Sequence, residues 1–266
     1  MILWGYLFWM NQDNLKKINE LVKPEDVNLS SFKIKRELNP KFWVKDESGV
    51  YKLKKNVKDR LLMIADDFFE TLELPWVDVD DIILTGSLSN YNWSEYSDVD
   101  LHILIPFEEV DNNIDLVKEY INSKKNVWNN KHNIKIFDHD VEIYGQDTKE
   151  PHYSTGIYSI MMDKWIIRPK LTKHKIDSKK IKEKSSSIMS IVEDIENTYS
   201  KGEYDKVIRR VTNLLEKIRK MRSAGLESGG EYSIENLTFK VLRREGYIEK
   251  LMDLKNKSYD KSLSLK

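Results

Sequence analysis

Two carboxylates one residue apart, Asp98 and Asp100, stand with His102 in a stretch that runs from Ile82 to Ile105. On a β-strand successive side chains point to opposite faces, so Asp98, Asp100 and His102 share one face while Val99, Leu101 and Ile103 share the other. One face is therefore core and the other chemical. Adjacent carboxylates repel, and such a pair is normally held by a cation or a shared proton. Mg²⁺ answers that charge with one or two protein carboxylates, completing its octahedron with water and phosphate oxygens at roughly 2.0–2.1 Å. A turn suited to phosphates lies just upstream, where the apolar run Ile82-Ile83-Leu84 ends at Gly86-Ser87. Glycine lets an anion approach the backbone, and the N–H groups that follow point at it. The combination implies a nucleoside triphosphate bound with metal.

The elements that must position these residues read as strand, glycine turn, short helix, strand. Before them, Leu61, Leu62, Ile64, Ala65, Phe68, Phe69 and Leu72 recur at helical spacing, predicting a helix over 57–74 that is capped by Asn56, ended by Pro75 and laid on the sheet. After them, Pro106 breaks the run and 108–121 reads as one helix. Two strands follow, 133–137 and 141–145, joined by a tight Asp138-His139-Asp140 turn. Those three residues are open to two readings, metal ligands or ordinary turn chemistry. His102 likewise could relay a proton, orient an acceptor, or simply be satisfied by a neighbouring carbonyl.

Gly86-Ser87, ten intervening residues and Asp98-Val99-Asp100 between two apolar strands resemble the signature of the polymerase-β-like nucleotidyltransferase superfamily over roughly residues 57–146. The wording around the motif, with Glu150-Pro151-His152-Tyr153-Ser154-Thr155-Gly156, is also similar to predicted nucleotidyltransferases of tailed bacteriophages. The resemblance implies a third carboxylate on a later strand. Glu142, in Val141-Glu142-Ile143-Tyr144, is the candidate, where most members carry Asp. It further implies catalytic and metal-binding roles for Asp98, Asp100 and Glu142 with two Mg²⁺ ions, and nucleotide contacts from Gly86, Ser87 and Ser97. The donor would be a nucleoside triphosphate, ATP first among them. An acceptor hydroxyl would attack the α-phosphate in line and pyrophosphate would leave, with the two metals roughly 3.5–4 Å apart.

At 266 residues, 33% charged and 40% hydrophobic, the chain has the make-up of a soluble globular protein of one large or two small domains. It has no cysteine, which excludes disulfides and thiolate metal sites and fits a reducing cytoplasm, that of the host if the chain is phage-encoded. The formal net charge of zero hides an asymmetry: residues 1–163 carry 19 Lys and Arg against 29 Asp and Glu, and residues 164–266 carry 25 against 15. The basic half is positioned to meet phosphates of the nucleotide or of a nucleic acid, unless the two halves merely attract each other.

The fold class expected is α/β (α+β): an N-terminal extension over 1–56 packed on the core, a small mixed-sheet nucleotidyltransferase domain over 57–168, and a basic helical domain over 169–266. Met1–Met10 is almost wholly apolar but too short to span a bilayer, so it reads as a packed strand or short helix, or as a contact patch for a second copy or partner. A helix is expected over 13–22. His152, Ser154, Thr155 and Tyr158 either line the site or form a solvated loop, and Trp165-Ile166-Ile167 reads as a short buried strand. The C-terminal part predicts a helix over 181–199 with Ile188, Ile191, Val192 and Ile195 on one side, and another over 204–222 with a cationic face of Lys206, Arg210, Lys217 and Lys220. A flexible turn at 225–230, a helix pair over 233–254 with Arg243 and Arg244 exposed or aimed at the site, and a frayed tail from 258 complete it. The acceptor these features favour is RNA or tRNA, with a protein or small-molecule hydroxyl as alternatives. A catalytically silent nucleotide sensor or RNA-binding module is the reading from another class.

Overall fold

The computed structural model describes residues 23–152, 154–171 and 176–265, so the expectations for Met1–Met10 and for 13–22 lie outside the described residues. The architecture is mixed α/β with a helical C-terminal region. Two compact units are present, one holding the described residues from Ser30 to Leu171, the other those from Lys23 to Leu29 and from Ile176 onward.

The first unit opens with a hairpin, β1 (Trp43–Lys45) and β2 (Tyr51–Leu53), followed by α1 (Lys55–Thr71). Then come β3 (Asp81–Thr85), a 3-10 turn at Ser87–Ser89, β4 (Val99–Ile105), α2 (Phe107–Val110) and α3 (Ile114–Lys131). The short β5 (Lys135–Ile136), β6 (His139–Asp147), β7 (Ile157–Ser159) and β8 (Lys164–Ile167) complete the unit. One six-stranded sheet runs β5-β6-β4-β3-β7-β8, with β4 and β6 parallel and the other pairs antiparallel. A parallel pair needs a long crossover, and α2, α3 and β5 supply it between β4 and β6.

Alternation decides which face is dry. Ile82, Leu84, Val99, Leu101, Ile103, Val141 and Ile143 point to the side where Val57, Leu61, Ile64 and Phe68 of α1 and Val117, Ile121 and Trp128 of α3 are buried. Each such large apolar side chain contributes about 1.5–3 kcal/mol on burial, which outweighs the weak propensity of any one residue for its element. Gly145 lets α3 lie close, since a Cβ there would stand 2.4 Å from the Ile121 side chain.

Several local expectations are corrected. The first helix begins one residue before Asn56, with Lys54 at the cap position and no side-chain cap, and it ends at Thr71 ahead of Glu73 in the left-handed region rather than at Pro75. The helix expected over 108–121 is two helices, because Asn113 accepts a hydrogen bond from the Leu116 N–H and restarts the chain. The hairpin turn is tighter than expected: Phe137 and Asp138 both take positive φ, the signature of a two-residue type I′ turn, so His139 already belongs to β6. Strand β8 exists, but it is an edge strand on which Ile166 and Ile167 are exposed. Residues 30–56 are integral to this unit, with Leu38, Phe42, Trp43 and Leu53 in its core, whereas Lys23–Leu29 goes with the helices.

The helical unit consists of α4 (Ser178–Ser200), α5 (Tyr204–Gly229), α6 (Ile234–Arg244) and α7 (Tyr247–Leu263). Its core takes Ile181, Met189, Val192 and Ile195 from α4 and Val207, Val211, Leu214 and Ile218 from α5; Ile191 is exposed instead. The stripe is rotated because buried Ser185, Ser186 and Thr198 share it. Arg244 is not displayed: its guanidinium holds the Asn28 carbonyl and Glu245. The tail is helical to Leu263, with Ser258 buried.

Gly225 does not open a turn but sits inside α5, where the start of α6 crosses it. A Cβ at this position would lie 2.4 Å from Glu235 Cβ and 2.8 Å from Ser233 Oγ. Glycine to alanine in a helix interior ordinarily gains about 1 kcal/mol. Here overpacking against a backbone-fixed Cβ costs about 1–3 kcal/mol and wins. Gly225→Ala is therefore expected to lower the urea midpoint of the full chain; a rise would show that α6 can yield at no cost.

Candidate active site

The face of the sheet opposite α1 and α3 carries the candidate site residues. Register builds it: Asp100 pairs with Thr85 on one side and with Glu142 on the other, and His102 pairs with Ile83 and Tyr144. Asp98 immediately precedes β4 and alternates onto the same side as Asp100. The carboxylates of Asp100 and Glu142 thus rise from facing positions on adjacent strands, an arrangement of like charges that destabilises a sheet unless something compensates.

Gly86 ends β3 with φ 73° and ψ −160°, a conformation almost reserved for glycine. A Cβ there would stand 1.8 Å from Asp100 Oδ2 and 2.7 Å from its Cγ, so the carboxylate lies directly on the glycine. That contact joins the turn to the acidic pair. Ser87 donates to Ser97 Oγ at 2.8 Å, and Ser97 Oγ also accepts the Ser94 N–H at 2.9 Å. The three nucleotide-side residues read from the sequence, Gly86, Ser87 and Ser97, thereby form one connected turn beside Asp98 and Asp100.

The turn is braced by residues whose role the sequence did not disclose. Trp43 Nε1 donates to the Leu88 carbonyl at 2.8 Å, and its ring stacks on Trp165 at 4.7 Å. Asn90 Nδ2 donates to Thr155 Oγ1, and Gly156 packs on the Ser89 carbonyl so closely that a Cβ would lie 2.1 Å from it. Thr155 therefore meets the turn directly. Ser154 turns back on the Gly156 carbonyl at 3.0 Å. Tyr158 is core, with its ring against Trp43 and Trp165 and its hydroxyl on Asp163 at 2.9 Å, and it pairs with core-facing Leu84 and not with the acidic face. Burial and that carboxylate push its phenol well above the ordinary range.

His102 and Tyr144 stack at 4.8 Å. His102 Nδ1 bonds the Gln146 side-chain oxygen at 2.8 Å, and Gln146 Nε2 reaches His152 Nδ1 at 3.4 Å. The amide oxygen accepts only, so His102 carries its proton on Nδ1, and burial holds its pKa below the ordinary histidine value. His102 is thus a neutral histidine satisfied by a side-chain carbonyl. Tyr144 donates to Glu142 Oε2. Asp138 and Asp140 are surface groups paired with Lys41 at 3.9 Å and Lys135 at 3.0 Å. His139 is buried, its Nδ1 2.6 Å from the Ser97 carbonyl.

No three His, Asp or Glu side chains gather into a ready metal cage among the described residues. Mg²⁺ does not require one, since it takes one or two carboxylates and draws its other oxygens from water and phosphate. Asp100 lying on a glycine cradle that a Cβ would fill, with Asp98 two residues upstream, fits an ion arriving with its nucleotide, and the donor set is all hard oxygen.

At the far end of the same face, Asp81 is buried. Its Oδ1 accepts from Ser159 Oγ and the Ile82 N–H at 2.8 Å each, while Oδ2 has no partner. Desolvation raises its pKa above the ordinary carboxylate value. The folded chain then binds this proton more tightly than the unfolded chain, so its contribution to stability is full below the ordinary value and is lost as pH rises through the raised one. Asp81→Asn removes that slope. The melting temperature of the variant minus that of wild type is expected to increase with pH across the window above the ordinary carboxylate value, and a pH-independent difference would contradict the assignment.

No family model and no curated protein matches the sequence. Among solved structures, a chain described as a STING-associated CdnE c-di-GMP synthase from Capnocytophaga granulosa is similar over 79% of this chain and 84% of that one, at 15% identity and a TM-score of 0.20. A likeness at that TM-score carries no argument. Among the described residues no helix is long and apolar enough to cross a membrane. What the site supports therefore rests on its own geometry: a glycine turn, Asp100 lying on it with Asp98 just upstream, and Glu142 in register beside Asp100.

Proposed function

We propose that this chain is a Mg²⁺-dependent nucleotidyltransferase that moves a nucleoside monophosphate from a nucleoside triphosphate, ATP first among them, to an acceptor hydroxyl. The observation that carries the reading is the contact of Asp100 with Gly86, which ties a phosphate-accepting turn to an acidic pair. Backbone N–H groups after Gly86 and the Ser87 hydroxyl hold the β- and γ-phosphates. Asp98 and Asp100 would hold two Mg²⁺ ions, with Glu142 as a further ligand for the catalytic one. When bound, the ions would supply charge neutralisation for the attacking and leaving oxygens. The acceptor oxygen forms a bond to the α-phosphorus, the bond from that phosphorus to the β-bridging oxygen breaks, and pyrophosphate departs. Glu142 receives the acceptor's proton, with Tyr144 orienting its carboxylate.

An RNA or tRNA end is the acceptor we infer first, on the excess of 25 basic over 15 acidic residues in 164–266. Part of the α5 cationic face is already neutralised, since Lys206, Arg210 and Lys220 pair with Glu203, Asp194 and Glu216 at 2.6–2.8 Å. Arg209, Lys217 and Arg219 remain exposed on that helix. The test incubates each α-³²P-labelled nucleoside triphosphate and Mg²⁺ with total host RNA and protein. RNase-sensitive label whose yield falls steeply with salt supports the RNA acceptor. Protease-sensitive label, or label in a small product, moves the acceptor to the other classes, and metal-dependent nucleotide binding without transfer establishes the silent sensor.

A further inference from the structure

We propose that His139 is a positioning residue that sets the orientation of Asp98 and of the phosphate turn, through the Ser97 carbonyl. The inference rests on the nucleotidyl-transfer reading of the same site. The parallel register that faces Val99 with Val141 and Asp100 with Glu142 brings Ser97, two residues upstream, opposite His139. His139 Nδ1 lies 2.6 Å from the Ser97 carbonyl oxygen. A carbonyl only accepts, so Nδ1 carries the proton. Nε2 faces Asn39 Nδ2 at 3.4 Å and takes the acceptor role. Asn39 is held in turn by its own turn, where Oδ1 accepts the Lys41 N–H at 2.9 Å. The ring rests edge-on against buried Phe42, with centroids 5.5 Å apart. Both polar ends of a buried side chain are thereby assigned, and the tautomer follows from them.

The carbonyl that His139 holds belongs to the peptide that leads into Asp98, so fixing it fixes the backbone from which that carboxylate departs. Ser97 also carries the hydroxyl that receives Ser87 at 2.8 Å. One imidazole on the strand that bears Glu142 consequently braces both the acidic pair and the phosphate turn. Asp138 and Asp140 on either side of it are surface groups in ion pairs, so the histidine's role is not shared by its neighbours. Misplacement by an ångström near reacting groups can cost about 10²-fold in rate, and outer partners of metal ligands are worth roughly 10–100-fold.

The test compares His139→Phe, which keeps a ring against Phe42 but donates nothing, with His139→Asn, whose Nδ2 can take the place of Nδ1. Two readouts are taken on the full-length protein: amide hydrogen exchange over 94–100, and steady-state transfer kinetics. His139→Phe is expected to speed exchange at Ser97–Val99 by about tenfold or more, through local opening. It is also expected to lower kcat about 10–100-fold with the nucleotide KM within about twofold, and His139→Asn to recover most of both. Unchanged exchange and unchanged kcat in His139→Phe overturn the proposal, as does a His139→Asn variant no better than Phe. If wild type transfers nothing while exchange in His139→Phe still rises and His139→Asn restores it, the brace stands and the nucleotidyl-transfer reading is what has failed.

Discussion

Asp100→Asn is expected to abolish measurable transfer while leaving the melting temperature equal to or above that of wild type. The carboxylate faces Glu142 across β4 and β6 and lies two residues beyond Asp98, so it has a like charge in register on the neighbouring strand and another on its own chain segment. Like charges set directly opposite on neighbouring strands cost about 0.2–1 kcal/mol, which removing one charge relieves. For a chain of this size that corresponds to a rise of no more than about 4 °C. The effect on turnover runs the other way and is far larger. Charge stabilisation by a bound metal is worth several kcal/mol, and each 1.36 kcal/mol is tenfold in rate, so kcat should fall by about 10³ or more. Melting is to be recorded in chelator, because bound Mg²⁺ would stabilise the wild type alone. Retained turnover together with a large loss of stability would place Asp100 in the scaffold and not in the site.

Gly86→Ala should remove activity by a different route and lower stability as well. Its φ of 73° with ψ −160° costs a side chain on the order of 1–3 kcal/mol. The new methyl would also meet Asp100 Oδ2 at 1.8 Å, so the carboxylate must swing away from the turn. On the proposed reading, the displaced group is the one that would tie metal to phosphate. A kcat loss of about 10²-fold or more is expected from such misplacement, with a lower urea midpoint. If Gly86→Ala turned over like wild type, the contact between the turn and Asp100 would have no part in catalysis.

The strand–turn–strand around Gly86 was legible because a period-two alternation of apolar and acidic residues admits little else, and only a residue without Cβ ends it comfortably. Glu142 was named through resemblance, yet its place beside Asp100 depends on a parallel register between strands some forty residues apart, which no local pattern encodes. His139 was misplaced into the turn for a related reason. The letters Asp-His-Asp describe turn chemistry equally well, and only the positive φ of Phe137 and Asp138 shows that the strand has already begun. Trp43 and Asn39 lay in a segment without periodicity, and their use as braces for the turn and for His139 arises from packing across the fold. In the helical region, Gly225 and Ser258 were read as flexibility because glycine and serine favour loops in isolation. There a crossing helix needs the missing Cβ, and the tail has buried its serine.

The most direct test of the central claim is a crystal soaked with Mn²⁺ and a non-hydrolysable nucleoside triphosphate, with the metal located by its anomalous signal. The expected result is density within roughly 2.0–2.3 Å of carboxylate oxygens of Asp98 and Asp100, with the triphosphate seated on the backbone N–H groups after Gly86. Metal bound at other residues, or phosphates lying away from the Gly86–Ser87 turn, would contradict it.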